Sequence, residues 1–268
     1  MISVLFISYN RSELLRDAVV SLRPPLDRSG IPYEIIVADD CSAPGHASAI
    51  DSIEAVTVVR GARNAGLGAN ANNGLRACRG RYILQVQDDW EFVGTAADIR
   101  TMVDVLDHDA SIGILQVTPV GCDLPAVRRD VASAGYLVFT NDGLPWRRGC
   151  DVRPYSDCPH IKRREFVNAV GPYVEGGPMT VCELDYKHRV AHQRDWHVAQ
   201  LVGPSLFRHM GQEHSLNPGG RRHPVVKALH AIPVIGPAFE RVIRRSIRWA
   251  DHMSAVAWSR LARRRVAS

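Results

Sequence analysis

A chain of 268 residues with 46% hydrophobic and 23% charged residues has the composition of a soluble globular protein with a sizeable core, and its length suits one large domain or one domain with an appendage. No apolar run approaches the ~18–20 residues of a membrane span, and the six cysteines include no Cys-x-x-Cys pair, so an integral membrane protein, a disulfide framework and a structural zinc site are all disfavoured. The formal charge of +5 is uneven: residues 221–268 hold eleven Arg/Lys against two Asp/Glu, a balance of +9 that leaves −4 on residues 1–220.

The opening "MISVLFISYNRSELL" has no basic leader and enters a strand pattern at once, so a cytoplasmic protein without a signal peptide is expected. Strand 2–8 is followed by a helix over 11–22, whose Leu14, Leu15, Ala18, Val19 and Leu22 share a face. Strands are predicted over 34–39 and 56–60, then a glycine turn and a helix over 67–78. Strand 82–86, helix 98–107 and strand 112–117 complete an alternation that implies a mostly parallel sheet with helices on both faces. Further on come a strand over 133–140, a long loop over 141–162, a helix over 178–193 and a strand over 196–202. Gly219-Gly220 reads as a boundary, beyond which a Pro-punctuated stretch leads to a helix over about 238–264. Cys150, Cys158 and His160 lie close in sequence, and reduced, unrelated thiols account for them.

In an open α/β sheet, ligands bind beyond the carboxyl ends of the strands. Here those ends read Ser8-Tyr9-Asn10-Arg11, Asp39-Asp40-Cys41-Ser42 and Gln87-Asp88-Asp89. Each alone is an ordinary turn sequence. Three at one sheet edge point to a binding site.

The stretches "VLFISYNR", "IIVADDCS", "NAGLGANANNG", "RGRYILQVQDDW", "CELDYKHR" and "FRHMGQEHS" occur in an order that resembles glycosyltransferase family 2 over about residues 2–215. The resemblance implies a GT-A type, Rossmann-like, mostly parallel sheet flanked by helices, with a C-terminal helical extension. It implies a catalytic domain over 1–218, with a nucleotide-sugar half (1–117) and an acceptor half (118–218), and a basic tail over 219–268. The implied reaction is inverting transfer of a sugar from a nucleoside-diphosphate sugar to an acceptor hydroxyl on a saccharide or lipid-linked glycan.

Residue by residue, the resemblance assigns Ser8, Asn10, Arg11, Asp39, Asn64, Gly66, Asn72 and Asp88 to the nucleotide sugar. Asp39 looks like the carboxylate that accepts from the nucleobase, while Asp40 suits a turn or a ribose contact. Gly66 and Gly74 permit close backbone approach, and the helix N-terminus after the turn favours an anion. Ala71 stands where a cationic residue is common. Asp89 matches the metal carboxylate of a D-x-D motif whose first acid is here Gln87, and His209 matches a late metal-ligand histidine, for Mn²⁺ or Mg²⁺. Such an ion keeps several waters and takes one or two carboxylates plus phosphate, so a single strong acid can suffice. Aligning Arg189 with the family's helix arginine puts Glu183 on the catalytic base and Cys182 beside it, with Asp185 as the fallback.

Trp90, Trp146 and Tyr155 suit ring stacking or packing, and Arg147, Arg148 and Arg153 suit an anionic acceptor or a solvated cluster. Arg241, Arg244, Arg245 and Arg248 share one face of the tail helix. Such a helix fits an anionic membrane surface, a cap on the catalytic domain or a homodimer contact; no nucleic-acid module is present. Two rivals remain at this point. A sugar nucleotidyltransferase would want a glycine-rich basic loop after the first strand, and a non-catalytic, membrane-docked donor-binding relative is kept open by Gln87 and the Cys182-Glu183 pair.

Overall fold

A computed structural model describes residues 1–119, 125–132, 134–139 and 155–210. The elements in chain order are β1 (Ile2–Ser8), α1 (Ser12–Ser29), β2 (Tyr33–Asp39), α2 (Pro44–Asp51), β3 (Thr57–Arg60), α3 (Leu67–Ala77), β4 (Tyr82–Gln87), β5 (Trp90–Phe92) and α4 (Ala96–His108). They continue as β6 (Ile112–Gln116), β7 (Ala126–Val131), β8 (Ala134–Phe139), β9 (His160–Arg163), α5 (Arg164–Val170), α6 (Met179–Ala191), β10 (His197–Leu201) and β11 (Phe207–His209). The predicted tail helix, Trp146, Arg147, Arg148, Arg153 and most of the predicted long loop lie outside the described residues.

One sheet runs in the order β3-β2-β1-β4-β9-β6-β10-β8-β7, and β11 pairs with β5 in a separate ribbon. The pairings make all of these strands parallel in direction except β9 and β8, so the expected mostly parallel sheet is present. β1 is central and apolar throughout because both its faces are covered. Val4 and Phe6 join one core with Leu15, Val19 and Leu22 of α1 and Met102 of α4. Leu5 and Ile7 point the other way, into a core with Ala71 and Leu75 of α3 and Tyr186 of α6.

Three differences from the sequence expectation have physical causes. Helix α1 continues through Pro24 and Pro25 to Ser29 and ends at Gly30, whose φ of 72° is left-handed. Prolines cost an interior helix about 3 kcal/mol, but Leu26 extends the buried stripe beyond them, and each buried leucine returns ~1.5–3 kcal/mol. Helix α2 was not expected, since it buries only Ile50; its signal is Pro44 at the first turn.

Strand β9 is the third, lying antiparallel between β4 and β6 within what the sequence reads as loop. Its sequence, His-Ile-Lys-Arg, is buried at all four positions, which no hydropathy pattern announces. The charges are tolerated because partners await them. Lys162 Nζ donates to Gln85 Oε1 at 2.7 Å and lies 5.4 and 5.3 Å from the rings of Tyr173 and Tyr186. Arg163 donates to the carbonyls of Ile112, Leu106 and Asp109. Burial lowers the Lys162 pKa to about 8 despite Asp157, and that of His160 to about 3.

Candidate functional site

The carboxyl ends of β1, β2 and β4 are brought level by register: Ser8 lies opposite Asp39, and Ile7 opposite Gln87. Two backbone bonds extend the ladder past the strand ends, from Asp40 N to Ser8 O and from Asp88 N to Ile7 O. Tyr9, Asn10 and Arg11 therefore leave the sheet between the two acidic turns.

The first turn is locked by its own side chains. Asn10 and Cys41 have positive φ (54° and 59°), a conformation asparagine adopts at modest cost. Asn10 donates its N–H to Ser42 Oγ and accepts from Ala43 N, both at 2.8 Å. Ser42 in turn donates Oγ–H to Asp39 Oδ1 at 2.5 Å, and Arg60 Nε donates to Asp39 Oδ2 at 2.6 Å. Asp39 has no exposed surface. Both its oxygens are thus spent within the protein, one on Ser42 of the turn and one on Arg60 at the end of β3. Asp40 points to the other face and accepts from Ala65 N and Gly66 N, each at 2.9 Å.

The glycine turn also serves the protein's own packing. Asn64 is exposed, while Gly66 carries the positive φ (85°) that opens α3. A Cβ on Gly68 would meet Val174 O at 2.1 Å, and one on Gly74 would meet Leu5 Cδ1 at 2.3 Å. The close approach that glycine permits is therefore between α3, β1 and the segment before α6. Asn72 is buried, donates to Tyr173 O and Glu175 Oε1, and accepts from Tyr173 N. Asn70, which the sequence reading passed over, donates to both Ser8 O and Ala38 O and so clamps the ends of β1 and β2. Its signal was the asparagine-rich run itself, in which three of four residues compete for one role.

The second acidic turn, Gln87 to Trp90, is where the sequence-predicted residues converge. Arg11 Nη1 lies 2.8 Å from Asp89 Oδ2 and 3.3 Å from Asp88 Oδ1. His209 arrives from 120 residues away because β11 pairs with β5, opposite Trp90, and Met210 N closes on Asp89 O at 2.7 Å. The imidazole packs edge-on against Trp90 with centroids 4.9 Å apart, and its Nε2 is 3.4 Å from Asp89 Oδ2. Asp88 and Asp89 are 4% and 5% exposed. Burial raises the Asp88 pKa to about 6; Arg11 opposes the shift and Asp89 adds to it, while Ser8 and the Tyr9 N–H hold it down.

Asp89 Oδ1 and His209 Nδ1 are buried with no hydrogen-bond partner among the described residues. A buried carboxylate oxygen without a partner is costly and marks a place for a cation or a water. No three His, Cys, Asp or Glu side chains cage a metal by themselves among the described residues. Asp89 and His209 nonetheless fit an ion of the Mg²⁺ or Mn²⁺ kind, whose remaining positions fall to water and phosphate.

Helix α6 carries two further acids, Glu183 and Asp185. Glu183 is about a third exposed and faces Lys187 at 3.8 Å. It acts electrostatically on the Cys158 thiol, which leads into β9 opposite the end of β4. Asp185 is 2% exposed at its side chain and pairs with Arg189 Nε at 2.7 Å. Arg189 also donates to the carbonyls of Val170 and Pro172, so Asp185 anchors α6 to the end of α5. Cys182 is buried and donates to Val174 O. Tyr155 is fully buried and hydrogen-bonds Asp157 and Tyr173, so its ring belongs to the core.

An open, mostly parallel sheet with two acidic turns at its carboxyl edge is the GT-A arrangement, and solved structures bear out the fold. The mannosyltransferase PcManGT from Pyrobaculum calidifontis, in complex with GDP-Man and Mn²⁺, superposes with a TM-score of 0.56 at 14% identity, over 99% of this chain and 78% of its own. TarS 1–349 of S. aureus, in complex with UDP-GlcNAc, gives 0.53 at 18% identity, over 86% of this chain and 65% of its own. Among curated proteins, the putative teichuronic acid biosynthesis glycosyltransferase TuaG of Bacillus subtilis is 32% identical over 97 residues. That match spans 34% of this chain and 37% of TuaG. Residues 3–149 match the family described as Glycosyl transferase family 2, and the chain belongs to that family.

Proposed function

We propose that this chain is a divalent-metal-dependent, inverting glycosyltransferase that moves a sugar from a nucleoside-diphosphate sugar to an acceptor hydroxyl. The observation that carries the reading is the convergence of Arg11, Asp88, Asp89 and His209 at the carboxyl edge of β1 and β4. The complexes of TarS with UDP-GlcNAc and of PcManGT with GDP-Man and Mn²⁺ support a nucleotide-sugar donor and a divalent ion.

In this reading Asp89 and His209 hold Mn²⁺ or Mg²⁺, whose chemistry when bound is Lewis-acid neutralisation of the leaving diphosphate. Arg11 offers its guanidinium to the same phosphates, a pairing its planar donors suit. Ser8, Asn10 and Asp39 act through the shape of the β1 and β2 turns; the buried Asp39 fixes the border against which a base would lie. Asp40 and Gly66 hold the turn that opens α3, on which Asn64 stands exposed, and Asn72 ties that helix to Tyr173 and Glu175.

Glu183, the more accessible acid of α6, takes the proton of the attacking acceptor hydroxyl as the bond to the anomeric carbon forms opposite the departing diphosphate. Asp185 is the weaker candidate, since Arg189 already claims it. The name of TuaG favours a glycan acceptor. A catalytic unit over 1–218, with donor and acceptor halves meeting near 117, and a basic tail that docks on an anionic membrane or a second copy, belong to the same proposal. No helix among the described residues is long and apolar enough to cross a membrane.

The test is a panel of UDP-, GDP-, dTDP- and CDP-sugars titrated calorimetrically onto the full chain with Mn²⁺, Mg²⁺ or EDTA. Saturable, metal-dependent binding of one donor class is expected; metal-independent binding, or none, would remove the reading.

A further inference from the structure

We propose that Arg11 is a placeholder for the divalent ion: its guanidinium occupies Asp88 and Asp89 until metal and diphosphate arrive together, and then transfers to the diphosphate. This rests on the metal-dependent reading above and adds to it a coupling between the two ligands. Arg11 Nη1 and His209 Nε2 both lie against one atom, Asp89 Oδ2, at 2.8 and 3.4 Å. The second oxygen, Oδ1, is buried without a partner. The acidic pair is thus half-neutralised by a side chain and half-prepared for something else.

A divalent ion coordinates carboxylate oxygen at roughly 2.0–2.6 Å. With the guanidinium still 2.8 Å from the same carboxylate, two cationic groups would crowd one acid. Asp89 is only 5% exposed, so little water screens them. Arg11 therefore has to withdraw for the ion to settle. Its backbone cannot follow, because Asn10 is pinned to Ser42 and Ala43. Only the side chain swings. A guanidinium that leaves a carboxylate needs an anion of equal quality, and a diphosphate supplies it.

The consequence is positive coupling. Metal alone has to displace Arg11 with no recompense, whereas metal accompanied by a nucleoside diphosphate gives Arg11 a new partner. By linkage each ligand tightens the other by the same factor. A protein built this way does not fill its site with free metal.

The experiment is Mn²⁺ binding to the full chain, followed by the loss of the free-ion EPR signal, for wild type, Arg11→Gln and Arg11→Lys, first alone and then with UDP or GDP. Arg11→Gln should bind Mn²⁺ alone about tenfold or more tightly than wild type, and added nucleotide should improve that binding less. Arg11→Lys, which keeps the charge but reaches one carboxylate at a time, should fall between; it decides the matter if thermal melting shows Arg11→Gln unfolded. Equal or weaker binding of Mn²⁺ by the variants, while wild type takes it up with nucleotide, overturns the placeholder and spares the functional reading. If no protein binds Mn²⁺ under any of these conditions, both fall.

Discussion

Asp88→Asn should stabilise the metal-free protein at neutral pH and do so progressively less as the pH falls. Asp88 is almost fully buried beside Asp89, and its carboxyl holds its proton up to about pH 6, against an ordinary value of 3.8. The folded chain thus binds this proton more tightly than the unfolded chain does. The contribution to stability is complete below pH ~3.8 and is lost as the pH rises through about 6. Two pH units, at about 1.4 kcal/mol each, set the scale at ~3 kcal/mol. Asparagine keeps the shape and an acceptor for the Tyr9 N–H, and it carries no charge to desolvate. Urea unfolding of wild type and variant in EDTA, at half-unit steps from pH 4 to 8, reads the difference directly. The variant should gain roughly 2–3 kcal/mol on wild type across that range. A pH-independent difference, or one that favours wild type as the pH rises, would refute the argument that burial governs this acidic pair.

Arg60→Ala leaves Asp39 fully buried with Ser42 as its remaining side-chain partner, and should cost about 2 kcal/mol at pH 7 by urea titration, the arginine being partly exposed. Gly74→Ala drives a methyl group into Leu5 Cδ1 at the α3–β1 contact, so the melting temperature should fall with a loss of about 1–3 kcal/mol. Glu183→Gln should leave donor affinity within error by calorimetry while lowering transfer to an acceptor by at least about 10²-fold; unchanged transfer would move the base elsewhere.

The sheet could be read from the sequence where one strand or helix carries its own pattern. β1, β2, β4 and β6 are apolar runs because both faces are covered, and α4 and α6 show helical spacing with ends within two residues of expectation. Elements whose stability lies in distant partners were not legible. β9 is buried through Gln85, Tyr173 and the Leu106 and Asp109 carbonyls at the end of α4, none adjacent in sequence. β5 and β11, three residues each, exist only as a pair. The site divides the same way. Asp89 and His209 were singled out by resemblance, and it is that short ribbon that sets them side by side. Asp39 was correctly set at the sheet edge, but its engagement by Arg60, twenty-one residues on, required the β2–β3 pairing to be known. Gly74 was anticipated as a point of close backbone approach, and Leu5 of β1 is what approaches it; Gly68, which the sequence reading did not single out, lies against Val174 in the same way. Spacing alone does not say which neighbour fills the room.

The central claim is turnover at the Asp89 edge. Release of nucleoside diphosphate from the donor selected by the binding panel, followed with Mn²⁺ for wild type and Asp89→Ala, tests it most directly. The account predicts slow, metal-dependent release by wild type and none above background by the variant, with the variant's circular dichroism intact. Release undiminished in Asp89→Ala, or absent from wild type in the presence of bound donor and acceptor glycans, would contradict it.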